Sequence, residues 1–191
     1  MRIKKIPMSK IRQKYKKLPI DRKWIVFALL IFVLAFFLKI NVWPIMFVAL
    51  FCVANAVLLS IDRYVSAPLD LELSTFSAVL MTIRYGIEWG LAVAVLTKLS
   101  AIFYNKNVRV DHFFMTIGYM LAAVIANLFG TMPVLVVGVI VTIIINLYVI
   151  FISRYITMLS DYEILMYGSS NTIFNIVLFI GFSELILKIM I

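Results

Sequence analysis

Apolar runs of spanning or near-spanning length, cut by short polar breaks, set the pattern of this chain. Segments of about 24–38, 44–61, 73–83, 91–104, 113–129, 134–152 and 164–190 are almost free of charge. A helix rises about 1.5 Å per residue and a bilayer core is about 30 Å thick, so runs of this kind are read as membrane segments. One helix over 24–61 would reach about 57 Å, and Asn41 and Pro44 break it. A hairpin is therefore expected there. Segments 73–83 and 91–104 are short, and two arrangements stay open for them: two crossings, or a re-entrant hairpin. The fold class expected is all-α, a polytopic transmembrane bundle of six or seven membrane segments, with one helical domain over 24–191 behind a basic tail, 1–23. The last segment, rich in Gly, Ser and Asn, is expected in the interior.

Composition agrees: 64% of residues are hydrophobic and 14% charged, with a mean hydropathy of +1.09, far from the roughly 25% charge of soluble domains. The net charge is +9, but it is concentrated. Arg2, Lys4, Lys5, Lys10, Arg12, Lys14, Lys16, Lys17, Arg22 and Lys23 precede the first apolar run. If every segment crosses, the side of the head also receives Arg63, Lys106, Arg109 and Arg154, and the other receives Lys39, Arg84 and Lys188. The positive-inside rule then makes the N-terminus cytoplasmic in a multi-pass protein of the cell membrane. The basic tail is expected to meet anionic lipid headgroups, and no nucleic acid partner is expected.

Chemistry is sparse. His112 is the single histidine and Cys52 the single cysteine, and no hydrolase, P-loop or zinc-protease motif is present. No catalysis, metal or cofactor is expected. Asn55, Asn127, Asn146, Asn171 and Asn175 fall within or beside apolar segments, where an amide needs a partner. One reading gathers Asn127, Asn146 and Asn175 with Tyr148 into a polar substrate pocket; the other uses them as interhelical hydrogen bonds. Lys98 lies mid-segment and either snorkels or pairs with Glu184 or an anionic ligand. Asp70 and Glu72 are expected at a rim. Gly86 and Gly90 form G-x-x-x-G, read as a tight turn or as a packing cue, with Ala94 and Ala101 continuing the small-residue row. Cys52, Ala56 and Ser60 form a second such row, facing a partner or a helix of the same chain.

Leu69-Asp70-Leu71-Glu72-Leu73 followed by Tyr85-Gly86-Ile87-Glu88-Trp89-Gly90-Leu91-Ala92-Val93-Ala94 resembles the substrate-binding S component of energy-coupling-factor transporters. There, an acidic or polar loop leads to a short helix, a Phe/Tyr-Gly-Pro-x-x-Gly turn and a helix rich in small residues. Ile87 stands in the place of the Pro. The resemblance covers roughly 44–190. It implies a six-helix bundle that binds a vitamin-like small molecule, with substrate contacts drawn from Asn127, Asn146, Tyr148, Asn175, Lys98 and Glu72. It also implies docking on a transmembrane coupling subunit driven by ATPases, through Cys52, Ala56, Ser60, Gly90 and Ala94. The rod-shape-determining protein MreD resembles the same architecture and implies a non-catalytic scaffold instead.

Overall fold

The computed structural model describes residues 41–61, 68–106 and 108–190. The tail 1–23 and the segment 24–38 lie outside the described residues. Helices α1 (Val42–Leu59), α2 (Ser74–Tyr85), α3 (Ile87–Asn105), α4 (Val110–Leu128), α5 (Val134–Tyr155) and α6 (Asp161–Ile189) follow one another, and the described residues contain no strand. All but α2 are long and apolar enough to cross a membrane. The chain thus fits a multi-pass helical membrane protein.

Each long helix carries a narrow inward stripe and an apolar outer face. On α3 the buried positions are Gly90, Val93, Ala94, Thr97, Lys98 and Ala101, a spacing of three and four residues that keeps them on one side of the helix. On α6 they are Gly168, Asn171, Asn175, Phe179 and Ser183. Outward lie Leu50, Val53 and Val57 on α1, Leu147 and Phe151 on α5, and Ile173, Val177 and Ile180 on α6, all exposed. Water would penalise so continuous an apolar exterior, whereas hydrocarbon does not. The polar face of α6 is thus an inward stripe on a peripheral helix. The interior position expected for the last segment belongs to α2.

At 12 residues, α2 is about 18 Å long, too short to cross about 30 Å of hydrocarbon. Every residue from Ser74 to Thr82 is buried. The helix packs on α3, α4, α5 and α6, and Phe76 meets Phe51 of α1 edge-on and Phe179 of α6 at 4.9 Å between ring centres. An irregular stretch, residues 68–73, leads into it from the polar connection after α1. The two short apolar pieces are therefore unlike: α2 is the buried axis, and α3 is a full-length helix.

Gly86 turns the chain between α2 and α3 at φ +97°, where a side chain is strained, and its N–H donates to Thr82 O at 3.0 Å. Gly90, one helical turn on, faces Thr82 and Ala123 so closely that a Cβ would collide with the threonine hydroxyl. Turn and close packing coexist in this one motif. Gly138 does the same for α5 and α6, lying under the ring of Phe179. Gly181 faces open space.

Gly138→Ala should force the Phe179 ring aside and lower stability by about 1–3 kcal/mol, the usual range for overpacking. Gly181→Ala should leave stability unchanged or slightly raised, because alanine favours helix and meets nothing there. Thermal unfolding of both variants in the same detergent checks the contrast.

Candidate functional site

The stretch 70–73 carries peptide groups that no helix satisfies, and three side chains from two helices take them up. Leu73 N donates to Asn55 Oδ1 of α1 at 2.7 Å, and Asp70 N donates to Ser170 Oγ of α6 at 2.9 Å. Glu72 O accepts from Asn175 Nδ2 of α6 at 3.4 Å. Non-helical backbone survives at membrane depth only when protein supplies such partners.

The same stretch delivers Glu72 to the centre of the bundle, fully buried. Its Oε2 accepts from Lys98 Nζ of α3 at 2.7 Å and from Tyr119 Oη of α4 at 2.6 Å. Its Oε1 accepts from Ser74 Oγ at 2.7 Å and more loosely from Asn55 Nδ2 at 3.5 Å. Asn55 also donates to Ser74 Oγ and Thr97 O, both at 3.2 Å, and Thr97 Oγ1 donates to Ser74 Oγ at 3.0 Å. The carboxylate also lies just ahead of the α2 N-terminus, where partial positive charge favours it. A charge pair removed from solvent is held only when geometry is good and the remaining lone pairs are met; here both oxygens are held, Oε2 by Lys98 and Tyr119 and Oε1 by Ser74.

A second network runs along α5 and α6. Asn146 Nδ2 donates to Asn171 Oδ1 at 3.2 Å, Asn175 Nδ2 to the same oxygen at 3.1 Å, and Asn171 Nδ2 to Asp70 Oδ2 at 3.0 Å. The Asp70–Leu73 stretch is thus shared by both networks.

A cavity of about 120 Å³ opens at one end of the bundle, where α1, α3 and α5 finish and α4 and α6 begin. Lys98, Arg109, Asp111 and His112 bring the polar lining, and Ile102, Phe114, Met115, Val149 and Ile152 the apolar. Arg109 holds Asp111 side-on, with Nη2–Oδ2 at 2.9 Å and Nε–Oδ1 at 3.1 Å. Burial, the largest single influence, pulls the Arg109 guanidinium down; a hydrogen bond with Tyr167 and the charge of Asp111 outweigh it and hold it above its ordinary value. His112 Nδ1 accepts from Arg109 N at 3.3 Å, tying both residues to the α4 N-terminus.

The residues singled out from sequence divide clearly. Lys98 and Tyr148 line the cavity; Gly118 lets the Tyr148 ring cross α4, and its hydroxyl donates to Phe114 O at 3.1 Å. Asn146 and Asn175 meet through Asn171, inside the packed core. Asn127 is exposed, 12 residues beyond Met115 on α4 and so about 18 Å along the axis from the cavity-lining part of that helix. The expected convergence of Asn127, Asn146, Asn175 and Tyr148 is therefore not the arrangement found. Glu72 is at the centre and not at a rim, and it, not the exposed Glu184, is the carboxylate paired with Lys98. The Cys52–Ala56–Ser60 row turns toward α3: Ser100 Oγ donates to Cys52 O at 3.1 Å and Asn105 Nδ2 to Ala56 O at 3.4 Å. Gly90 and Ala94 are buried against α2 and α4. Helices of the same chain thus meet Gly90 and the Cys52 and Ala56 backbone, while Ser60 donates to Val57 O of α1.

Sequence reasoning left Tyr119, Ser74 and Arg109 unassigned. Arg109-Val110-Asp111-His112 at the head of an apolar run is the signal from which a polar mouth could have been read. Among the described residues no cluster of three or more His, Cys, Asp or Glu is placed to hold a metal.

Lys98→Met should destabilise the protein by about 3–5 kcal/mol, because the buried carboxylate loses its countercharge. Adding Glu72→Gln to Lys98→Met should recover most of that loss, which thermal unfolding of the single and double variants measures.

Comparisons of the chain with protein-family models, with curated proteins and with solved structures give no match, so what bears on function is the geometry of the ion pair, the asparagine network and the cavity.

Proposed function

We propose that the chain is a non-catalytic membrane subunit that binds a small molecule in the cavity at the α3–α4 end, and that it works in uptake beside an ATP-driven coupling module. The observation that carries this reading is the cavity itself: an apolar chamber with a buried ammonium in its wall and a polar mouth, the mixture typical of ligand sites. The resemblance to energy-coupling-factor S components in the 69–94 region supports the coupling partner. With Gly90, Ala94, Cys52 and Ala56 engaged within the bundle, docking falls to the outward faces of the helices. Anionic lipids hold the basic tail.

A scaffold of the MreD kind is the second reading. It is favoured by the asparagines, which satisfy one another and the Asp70–Leu73 backbone rather than lining a pocket.

The excess of basic residues near the cavity end, Lys106, Arg109 and Arg154, over Arg84 and Lys188 elsewhere supports a cytoplasmic side for the cavity under the positive-inside rule. A ligand brought inward is then presented to the cytoplasm from this end.

Native mass spectrometry of protein extracted gently from its host should find a copurifying small molecule that leaves when the cavity is filled from its wall, as in Ala101→Trp. Copurification of membrane proteins with no small molecule would overturn the binding reading and favour the scaffold. A cysteine at Lys106, in a Cys52→Ala background, should be protected from a membrane-impermeant maleimide in sealed right-side-out vesicles and modified in inverted ones. Modification from outside would reverse the orientation.

A further inference from the structure

The Lys98–Glu72 pair is unequal in how its two members are satisfied. Glu72 is fully enclosed, and both its oxygens hold strong hydrogen bonds. Lys98 has three N–H donors. Among the described residues one goes to Glu72 at 2.7 Å and one rests on the thioether of Met115 at 3.6 Å, a weak acceptor. The ammonium also lies 5.7 Å from the centre of the Tyr119 ring. That leaves one donor without an oxygen or nitrogen acceptor, on a side chain only 3% exposed that forms part of the cavity wall. The pair therefore turns its positive end to the cavity and its negative end to the core.

The other charges around the cavity do not reverse that polarity at its inner wall. Arg109 and Asp111 neutralise each other at the mouth; Asp70, also in the lining, keeps its negative charge and is held on the α6 side by Asn171, so the free donor for an acceptor is the one on Lys98. Beside Lys98 the wall is Met115, Ile102 and Ala101, with Val149 and Ile152 of α5 also lining the chamber. The space, about 120 Å³, is of the order of the roughly 150 Å³ chamber that takes a benzene.

From these observations we propose that the cavity takes a compact organic anion, a monocarboxylate with an apolar body of about one ring, whose carboxylate accepts the remaining donor of Lys98. The proposal rests on the binding reading above and adds the chemical class of the ligand. A charged acceptor is favoured over a neutral one because hydrogen bonds between ions are about twice as strong, and more so away from water. The apolar body replaces water against Met115, Ile102 and Val149.

The test uses the full chain in nanodiscs and four probes: benzoate, benzamide, benzylamine and inorganic phosphate. Benzoate should raise the unfolding temperature in a saturable way and bind at least about tenfold tighter than benzamide, the difference expected for losing a charge-assisted hydrogen bond. Benzylamine and phosphate should bind no better than benzamide. The double variant Glu72→Gln/Lys98→Gln keeps two groups that can hydrogen-bond to each other, and it should retain its helix content while losing the preference for benzoate over benzamide. Benzylamine matching benzoate, phosphate matching benzoate, or an unchanged preference in the double variant would each overturn the proposal. Failure of benzoate to bind would also overturn it. If a neutral or cationic molecule copurifies in that case, the binding reading survives alone; if nothing copurifies, both fall.

Discussion

Four residues of irregular backbone, Asp70 to Leu73, enter a bundle of apolar helices, all but the half-buried Leu71 fully inside it, and their polar groups must find partners there. Hydrocarbon supplies none, and each unmet peptide group costs several kcal/mol. The solution draws on four helices: Asn55 from α1, Lys98 from α3, Tyr119 from α4, and Ser170, Asn171 and Asn175 from α6. The helices are thereby fixed to one another through a segment that is not itself a helix. The shortness of α2 follows from the same arrangement. A helix begun in the middle of the bundle has only enough length left to reach the Gly86 turn.

That arrangement separates structure from site within a single ion pair. Glu72 is consumed by the fold, each oxygen held by groups that also position α2, whereas Lys98 answers to the fold with one donor and to the cavity with another. The cavity's polarity is set from behind, by a carboxylate that never reaches it. Tyr148 shows the same division: its ring is seated by Gly118, its hydroxyl is held by Phe114 O, and part of it remains as wall. Both side chains are held by the fold itself, an arrangement that would lower the ordering cost of the binding proposed above.

Helix positions were legible because hydrophobic runs and polar breaks are local signals; the expected segments from 44 to 190 match α1 to α6 with shifts of a few residues at their ends. The Gly86 turn was legible too, since left-handed backbone between two apolar runs asks for glycine. The partner of Lys98 was not. Glu72 precedes it by 26 positions, and nothing in local spacing distinguishes a loop carboxylate that folds inward from one that stays in water. The asparagines misled for a related reason: an amide within an apolar run announces that it needs a partner, but not whether the partner is a ligand or another amide. Asn127, one residue from the end of α4, needs neither. Interior position was misjudged for the last segment because its polar residues are many; their spacing, 168, 171, 175, 179 and 183, marks a single stripe and hence a helix with lipid on its other side.

Small residues in this chain are used up by its own packing, and this constrains any partner. Close helix approach in lipid depends on faces without bulky side chains, and Gly90, Gly118 and Gly138 already lie under Thr82, Tyr148 and Phe179. What α1 and α6 offer outward is Leu50, Val53, Val57, Ile173, Val177 and Ile180, a surface that packs by interdigitation at ordinary helix spacing rather than by backbone contact. The exposed Gly181, flanked by exposed Ile180 and Phe182, and the exposed Ser169 are places in the described α6 where a neighbouring helix can come closer.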